Sequence, residues 1–195
     1  MLCAINMKIL LTILLSIIFI GDVFTQCLNK DNESSMQKEF VKSLHIFHND
    51  TLKEGEQVQI DYLTKDKNGE PYDQGTVLIL KRNNKLEYYQ IGVWLKYDKG
   101  RILGKYYFDN CGFCKHEIFF QNLDNIKTSE VFREEVTYKG KIYVMEIIKN
   151  YDKDVETYDS FLLVNGKRKH HGVSRTITNS VVTYETEYEF GKIKK

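Results

Sequence analysis

The sequence predicts an all-β fold of consecutive antiparallel β-hairpins in an elongated repeat sheet, with a short N-terminal helix and a cleaved signal peptide. Three observations lead there. Thirteen Tyr and eleven Phe stand against one Pro, and flat rings and β-branched chains pack well on a pleated surface. The stretch GVWLKYDKGRILGKYYFDNCG, Gly92 to Gly112, has the grammar of a hairpin. An aromatic strand (Val93 to Tyr97) meets a turn (Asp98, Lys99, Gly100), a second aromatic strand (Ile102 to Phe108) and another turn at Asp109-Asn110. The pattern returns near the C-terminus as GVSRTITNSVVTYETEYEFG, Gly172 to Gly191. Laid gaplessly on the first copy, it sets Gly172 on Gly92, Val173 on Val93, Ile177 on Tyr97, Ser180 on Gly100, Val182 on Ile102 and Tyr188 on Phe108. Two units of like spacing in one chain point to a repeat protein.

With 195 residues, 42% of them apolar, the chain suits one well-buried domain. Residues 1–25 are expected to be a signal peptide: Lys8 precedes an apolar run from Ile9 to Ile20, which Gly21 and Asp22 break before Val23, Phe24 and Thr25. Met7 is an alternative start. The run is too short to span a bilayer, so export to the periplasm or the medium is expected. The rival reading is a surface or outer-membrane lipoprotein acylated on Cys27, where Gln26 replaces the usual Gly, Ala or Ser. Membrane association is expected only in that case.

Residues 26–56 read as a polar leader and a short helix, capped by Ser34 or Ser35, whose apolar face is Met36, Phe40, Val41 and Leu44. That helix is expected to cover the first edge of the sheet. His45 and His48 near its end lack a third ligand for a metal. Asn32-Glu33-Ser34 and Asn49-Asp50-Thr51 fit the glycosylation acceptor pattern, which matters only in a eukaryotic source.

Residues 57–195 are expected to form a single β-hairpin repeat domain. Val58, Ile60 and Tyr62 alternate with polar residues, Asn68-Gly69 turns, Thr76 to Leu80 is a short apolar strand, and Asn83-Asn84 turns again before Leu86 to Ile91. Beyond the central hairpin the expected strands are Glu117 to Phe120, Val131 to Tyr138, Ile142 to Ile148, Val155 to Val164 and Lys167 to Ile177. Their separators, Asn122 to Asn125, Lys139-Gly140, Asn150 to Lys153 and Asn165-Gly166, are turn formers. Such short spacing leaves no room for crossover helices, so the sheet should be antiparallel. In the strand Ile102 to Phe108, a period of two puts Ile102, Tyr106 and Phe108 on one face, with a gap at Gly104.

Gly92, Trp94 and Tyr97, followed by Gly100 and the aromatic strand to Phe108, resemble the MORN-variant repeats of the YwqK-like antitoxin family. Asn165-Gly166-Lys167-Arg168-Lys169-His170-His171-Gly172 is similar to that family's linking segment. The resemblance covers Glu87 to Cys114 and Leu163 to Lys195, and Ser174, Ser180 and Cys111 depart from it. It implies an elongated sheet of hairpins, no catalytic residues, and binding to proteins or, for some MORN proteins, membranes.

Twenty-eight basic and twenty-seven acidic residues nearly cancel, so no whole-protein field draws the chain to nucleic acid. Cys111-Gly112-Phe113-Cys114 has the C-x-x-C spacing of thiol redox sites, but Lys115 to Phe120 reads as a strand where a helix is needed. Cys111 and Cys114 are therefore a candidate disulfide, with a thiol–disulfide oxidoreductase or a metal site through His116 as alternatives. His170-His171, beside Lys167, Arg168 and Lys169, form a basic knot suited to an acidic partner or to a solvated hairpin turn. Glu134-Glu135 and the pair Glu185 and Glu187 suit solvated faces better than acid–base chemistry. The function expected is a non-enzymatic protein-binding or structural module without cofactor or metal. Its candidate contact residues are Trp94, Tyr97, Tyr106, Phe108, Tyr184 and Tyr188, with a core role for most of these rings as the plainer reading.

Overall fold

The computed structural model describes residues 51–121 and 126–194. The chain divides into two units, Met1–Leu52 and Lys53–Lys195, and the sheet belongs to the second. The expected signal peptide, the short helix with His45 and His48, and Cys27 all lie outside the described residues. Among those described, every regular element is a strand: β1 Gln57–Lys65, β2 Pro71–Arg82, β3 Lys85–Asp98, β4 Arg101–Phe108, β5 Cys114–Phe120, β6 Lys127–Tyr138, β7 Lys141–Asp152, β8 Val155–Val164, β9 Lys167–His170, β10 Gly172–Thr178, β11 Val181–Glu189 and β12 Lys192–Ile193. They make one antiparallel 12-stranded sheet in which each strand follows its sequence neighbour, except that β9 and β10 both pair with β8.

Tight loops hold the meander. Asn83-Asn84, Lys99-Gly100, Lys139-Gly140, Asn165-Gly166, Asn179-Ser180 and Phe190-Gly191 each carry positive φ at both residues, the backbone a two-residue hairpin turn requires. Several strand boundaries differ from expectation. β3 runs through Gly92, whose φ of 67° lets the strand bend without ending. The segment expected as one strand over Lys167 to Ile177 breaks at His171, before Gly172 (φ 89°). β7 also continues to Asp152, because the turn uses Lys153-Asp154 rather than Asn150.

The hairpins β3–β4 and β10–β11 share one register. Gly92 faces Phe108 and Gly172 faces Tyr188; Lys96 faces Gly104 and Thr176 faces Tyr184. Each second strand then carries one unpaired residue, Leu103 or Thr183, before a two-residue turn. The preceding strands match as well, with Asp73 opposite Lys96 and Thr157 opposite Thr176. The bulge at Leu103 takes Ile102 off the Gly104–Tyr106 alternation expected from sequence.

Val77, Leu78, Ile79 and Leu80 are consecutive and all buried, so both faces of β2 are covered there. Tyr88, Ile91 and Trp94 extend this core into β3, and Val131 and Leu162 are buried further along the sheet.

Candidate functional site

Trp94 and Tyr106 are cross-strand partners and therefore share a face. Trp94 is only 4% exposed. Its ring lies directly on Gly75, where an added Cβ would come within 2.3 Å of it, between Tyr62 (5.6 Å) and Phe108 (6.4 Å, edge-on). Its indole N–H donates to the Thr76 carbonyl at 3.1 Å. Tyr106 folds back over Gly104 and meets Phe119 edge-on at 5.9 Å, which fills the gap expected at Gly104. Tyr97 alternates to the other face, and its hydroxyl donates to Gln74 Oε1 at 2.9 Å. The rings around Trp94 thus belong to the core.

Tyr184 and Tyr188 lie on β11, with β5, β6, β7, β8 and β10 between them and β4. One row of directly opposed residues, Gly104, Phe119, Ser129, Asn150, Thr157, Thr176 and Tyr184, crosses the sheet and puts Tyr184 on the Trp94 face. Its middle is polar: Ser129 donates to Asn150, which donates to Thr157. The six candidate contact residues are therefore split into two groups and do not form one surface. Tyr184 is 51% exposed, while Tyr188 packs on the His170 ring at 4.7 Å.

Between these groups lies an ionic chain that sequence reasoning missed. Arg133 and Glu146 face each other across β6 and β7, and Glu146 is 2% exposed. Its carboxylate accepts from Arg133 Nε at 2.9 Å and from Arg168 Nε, while Arg133 also donates to Glu117. Burial alone would depress the Arg133 guanidinium, but the Glu117 and Glu146 carboxylates outweigh it and hold it up. The available signal was a single acid inside the apolar run Val144 to Ile148. On the other face, His116 is stacked between Tyr107 (5.1 Å) and Phe132 (4.2 Å), with Nε2 at 3.6 Å from Glu130. Burial pushes the Glu130 carboxyl up, yet hydrogen bonds from Tyr151 and Lys127 prevail and hold it below its usual range.

The expected Cys111–Cys114 bridge is corrected. Cys114 is a free thiol. Asp109 ties the turn instead, accepting from the backbone N–H groups of Cys111 (2.9 Å) and Phe113 (3.0 Å). Cys114 opens β5, and its thiol donates to the His116 carbonyl. Burial, with the nearby Glu117 carboxylate, pushes that thiol up to about 12. Since only the thiolate reacts, Cys114 in the native protein should resist iodoacetamide at pH 8 and be alkylated after denaturation. Peptide mapping reads this directly, and rapid native labelling of Cys114 would show the burial to be wrong.

His170 and His171 are not a solvated basic turn. His170 lies between Phe161 (4.5 Å) and Tyr188 (4.7 Å), while His171 packs on Tyr138 and its Nδ1 accepts from the Phe190 N–H at 3.3 Å. Of the neighbouring cations, Arg168 is committed to Glu146 and Lys169 lies over the Phe190 ring. Glu185 pairs with Arg175 and Glu187 with Lys194, each at 2.7 Å. A concavity of about 350 Å³ is lined by Lys115, Phe132, Glu134, Ile147 and Lys149, and another of about 280 Å³ by Tyr138, His171, Tyr188 and Lys194. Among the described residues, no three His, Cys, Asp or Glu side chains are grouped to hold a metal ion. No family model, no curated protein and no solved structure matches this chain.

Proposed function

We propose that the protein is an exported, non-enzymatic β-repeat module that binds other protein, with its contact surface on β11 rather than around Trp94. The carrying observation is the duplicated unit: β2, β3 and β4 have the same registers as β8, β9–β10 and β11, down to the unpaired Leu103 and Thr183. Consecutive hairpin units that stack side by side are the basis of elongated repeat sheets, whose work is to present an extended surface. The same unit underlies the resemblance to MORN-variant repeats of the YwqK-like kind.

The two copies use their equivalent positions differently. In the first, Trp94 closes over Gly75. In the second, Ser174 stands in its place and hydrogen-bonds Asp159 at 2.8 Å, and Tyr184 stays half exposed. The first copy therefore supports the fold and the second offers aromatic surface. Export, to the periplasm or the medium, rests on the leader in residues 1–25.

Tyr184→Ala and Tyr188→Ala variants test the reading. Each should weaken capture of partners from the extracellular or periplasmic fraction by roughly tenfold, as expected for an aromatic contact at an interface. The Tyr184→Ala variant should do so with an unchanged thermal midpoint, since an exposed side chain contributes little to folding. Undiminished capture by both variants would refute it.

A further inference from the structure

We propose that the end of the sheet formed by the β6–β7, β8–β9 and β11–β12 turns is a docking surface for an acidic segment of a partner protein, held by lysines that the strand register gathers on one face. This surface lies on the face opposite Tyr184 and at the far end of β11. It shares with the contact proposed above only the view that the partner is a protein.

In a meander, alternate turns fall at the same end, which sets Lys139-Gly140, Asn165-Gly166 and Phe190-Gly191 at one end of the sheet. The row Glu134, Met145, Leu162 and Lys169 crosses β6 to β9 as directly opposed residues and defines one face. Counting by twos along each strand, Lys141 shares that face with Met145, and Lys167 shares it with Lys169. Tyr158, on the face of Leu162, is opposed by Arg175 and then by Glu185, so Glu189 and its partner Lys192 belong to this face as well. Lys139 reaches Glu189 at 3.4 Å, and Lys194 reaches Glu187 at 2.7 Å.

The turns are also drawn together. In the sheet β7, β8 and β10 separate β6 from β11, yet Tyr138 at the end of β6 stacks on Phe190 at 5.6 Å and meets the His171 ring at 4.7 Å. Lys169 Nζ lies over the same Phe190 ring at 4.4 Å. Lys139, Lys141, Lys167, Lys169, Lys192 and Lys194 therefore share one end of one face, beside only two carboxylates, Glu187 and Glu189. Both are taken, Glu187 by Lys194 and Glu189 by Lys139 and the Tyr138 hydroxyl. Among the described residues no carboxylate pairs with Lys141, Lys167, Lys169 or Lys192, and all four are exposed.

The opposite end has no such excess. Its turns mix both signs, with Asp66, Lys67 and Glu70, then Asp98, Lys99 and Arg101, then Asp152, Lys153 and Asp154, while Asn179-Ser180 carries no charge. The net charge of +1 thus hides a separation of charge along the strands. Like charges crowded on one face repel one another, and a partner of opposite sign relieves that repulsion and is steered to the patch. The four open cations are all lysines, point charges on flexible stems without the planar fork by which arginine selects a phosphate. Such a surface reads the density of negative charge rather than the geometry of one oxyanion, which suits a run of Asp and Glu.

Fluorescein-labelled poly-L-glutamate, followed by anisotropy at low ionic strength, should bind the purified protein saturably, and added salt should weaken the binding. Lys141→Glu/Lys192→Glu should lower the affinity by about tenfold or more, since like charges then meet across the contact. Lys167→Glu alone, at a different turn, should lower it less but measurably. Lys67→Glu/Lys153→Glu, at the opposite end, changes the net charge as much as the first double variant and should lose far less. All these side chains are exposed, so thermal midpoints should stay at the wild-type value. Tyr184→Ala should bind poly-L-glutamate as the wild type does, so that failure of either surface leaves the other standing. Absence of binding to poly-L-glutamate, equal losses from changes at the two ends, or binding to heparin without binding to poly-L-glutamate would each overturn the proposal.

Discussion

Replacing Trp94 with alanine should lower the unfolding free energy by about 3–5 kcal/mol, the range for truncating a buried aromatic residue. The ring is held on three sides at once: by Gly75 beneath it, by Tyr62 and Phe108 beside it, and by the Thr76 carbonyl that accepts its N–H. Truncation leaves a cavity among residues on β1, β2, β3 and β4 that cannot all move in together, so relaxation recovers little. Gly75→Ala tests the same contact from the other side. A methyl group 2.3 Å from the ring must displace it, and overpacking of this kind costs typically 1–3 kcal/mol, about as much as a poorly relaxed cavity of moderate size. Trp94 is the only tryptophan in the chain, so a red-shifted emission in Gly75→Ala would report its displacement, while urea unfolding followed by circular dichroism measures both variants. Ser174→Ala, at the matching place in the second copy, should cost only about 1 kcal/mol, the worth of one hydrogen bond. If Trp94→Ala unfolds at the wild-type urea concentration, the first copy is not the part that holds the sheet together.

That asymmetry marks how far the sequence could be read. Alternation and turn chemistry place β1, β6, β8 and the Asn83-Asn84, Lys139-Gly140 and Asn165-Gly166 loops, because a period of two and a positive-φ turn are local properties. The gapless alignment of Gly172 on Gly92 holds for the same reason, and the registers of the two hairpins agree with it pair by pair. What covers each face is not local. Trp94 is buried because Gly75, on the neighbouring strand, leaves room for it, and the sequence gives no register to connect the two. Tyr184, aligned on Gly104, has no such recess and stays exposed. The Cys111–Cys114 pairing failed on the same ground: the C-x-x-C spacing is local, but Asp109 closes the turn and the start of β5 carries Cys114 into a half-buried site.

Glu146→Ala should cost about 3–5 kcal/mol, the loss typical of removing one partner from a buried ion pair. Two arginines depend on this carboxylate, but unequally. Arg168 is 53% exposed and can turn to water, whereas Arg133 is 19% exposed and keeps only Glu117. The penalty therefore comes from Arg133, a buried cation left with half of its compensation, and not from the number of bonds lost. It follows that Arg168→Ala should cost less than about 1 kcal/mol, as an exposed partner of a screened pair, while Glu146 remains neutralised by Arg133. Added salt should barely reduce the Glu146→Ala loss, because screening acts on charges in water and this carboxylate is out of it. Chemical denaturation with urea, which carries no charge, gives the ordering directly. Equal losses in Glu146→Ala and Arg168→Ala, or a Glu146→Ala loss abolished by salt, would mean that the chain of charges is a surface feature. Nothing would then tie β5, β6, β7 and β9 together through that face except their backbone bonds.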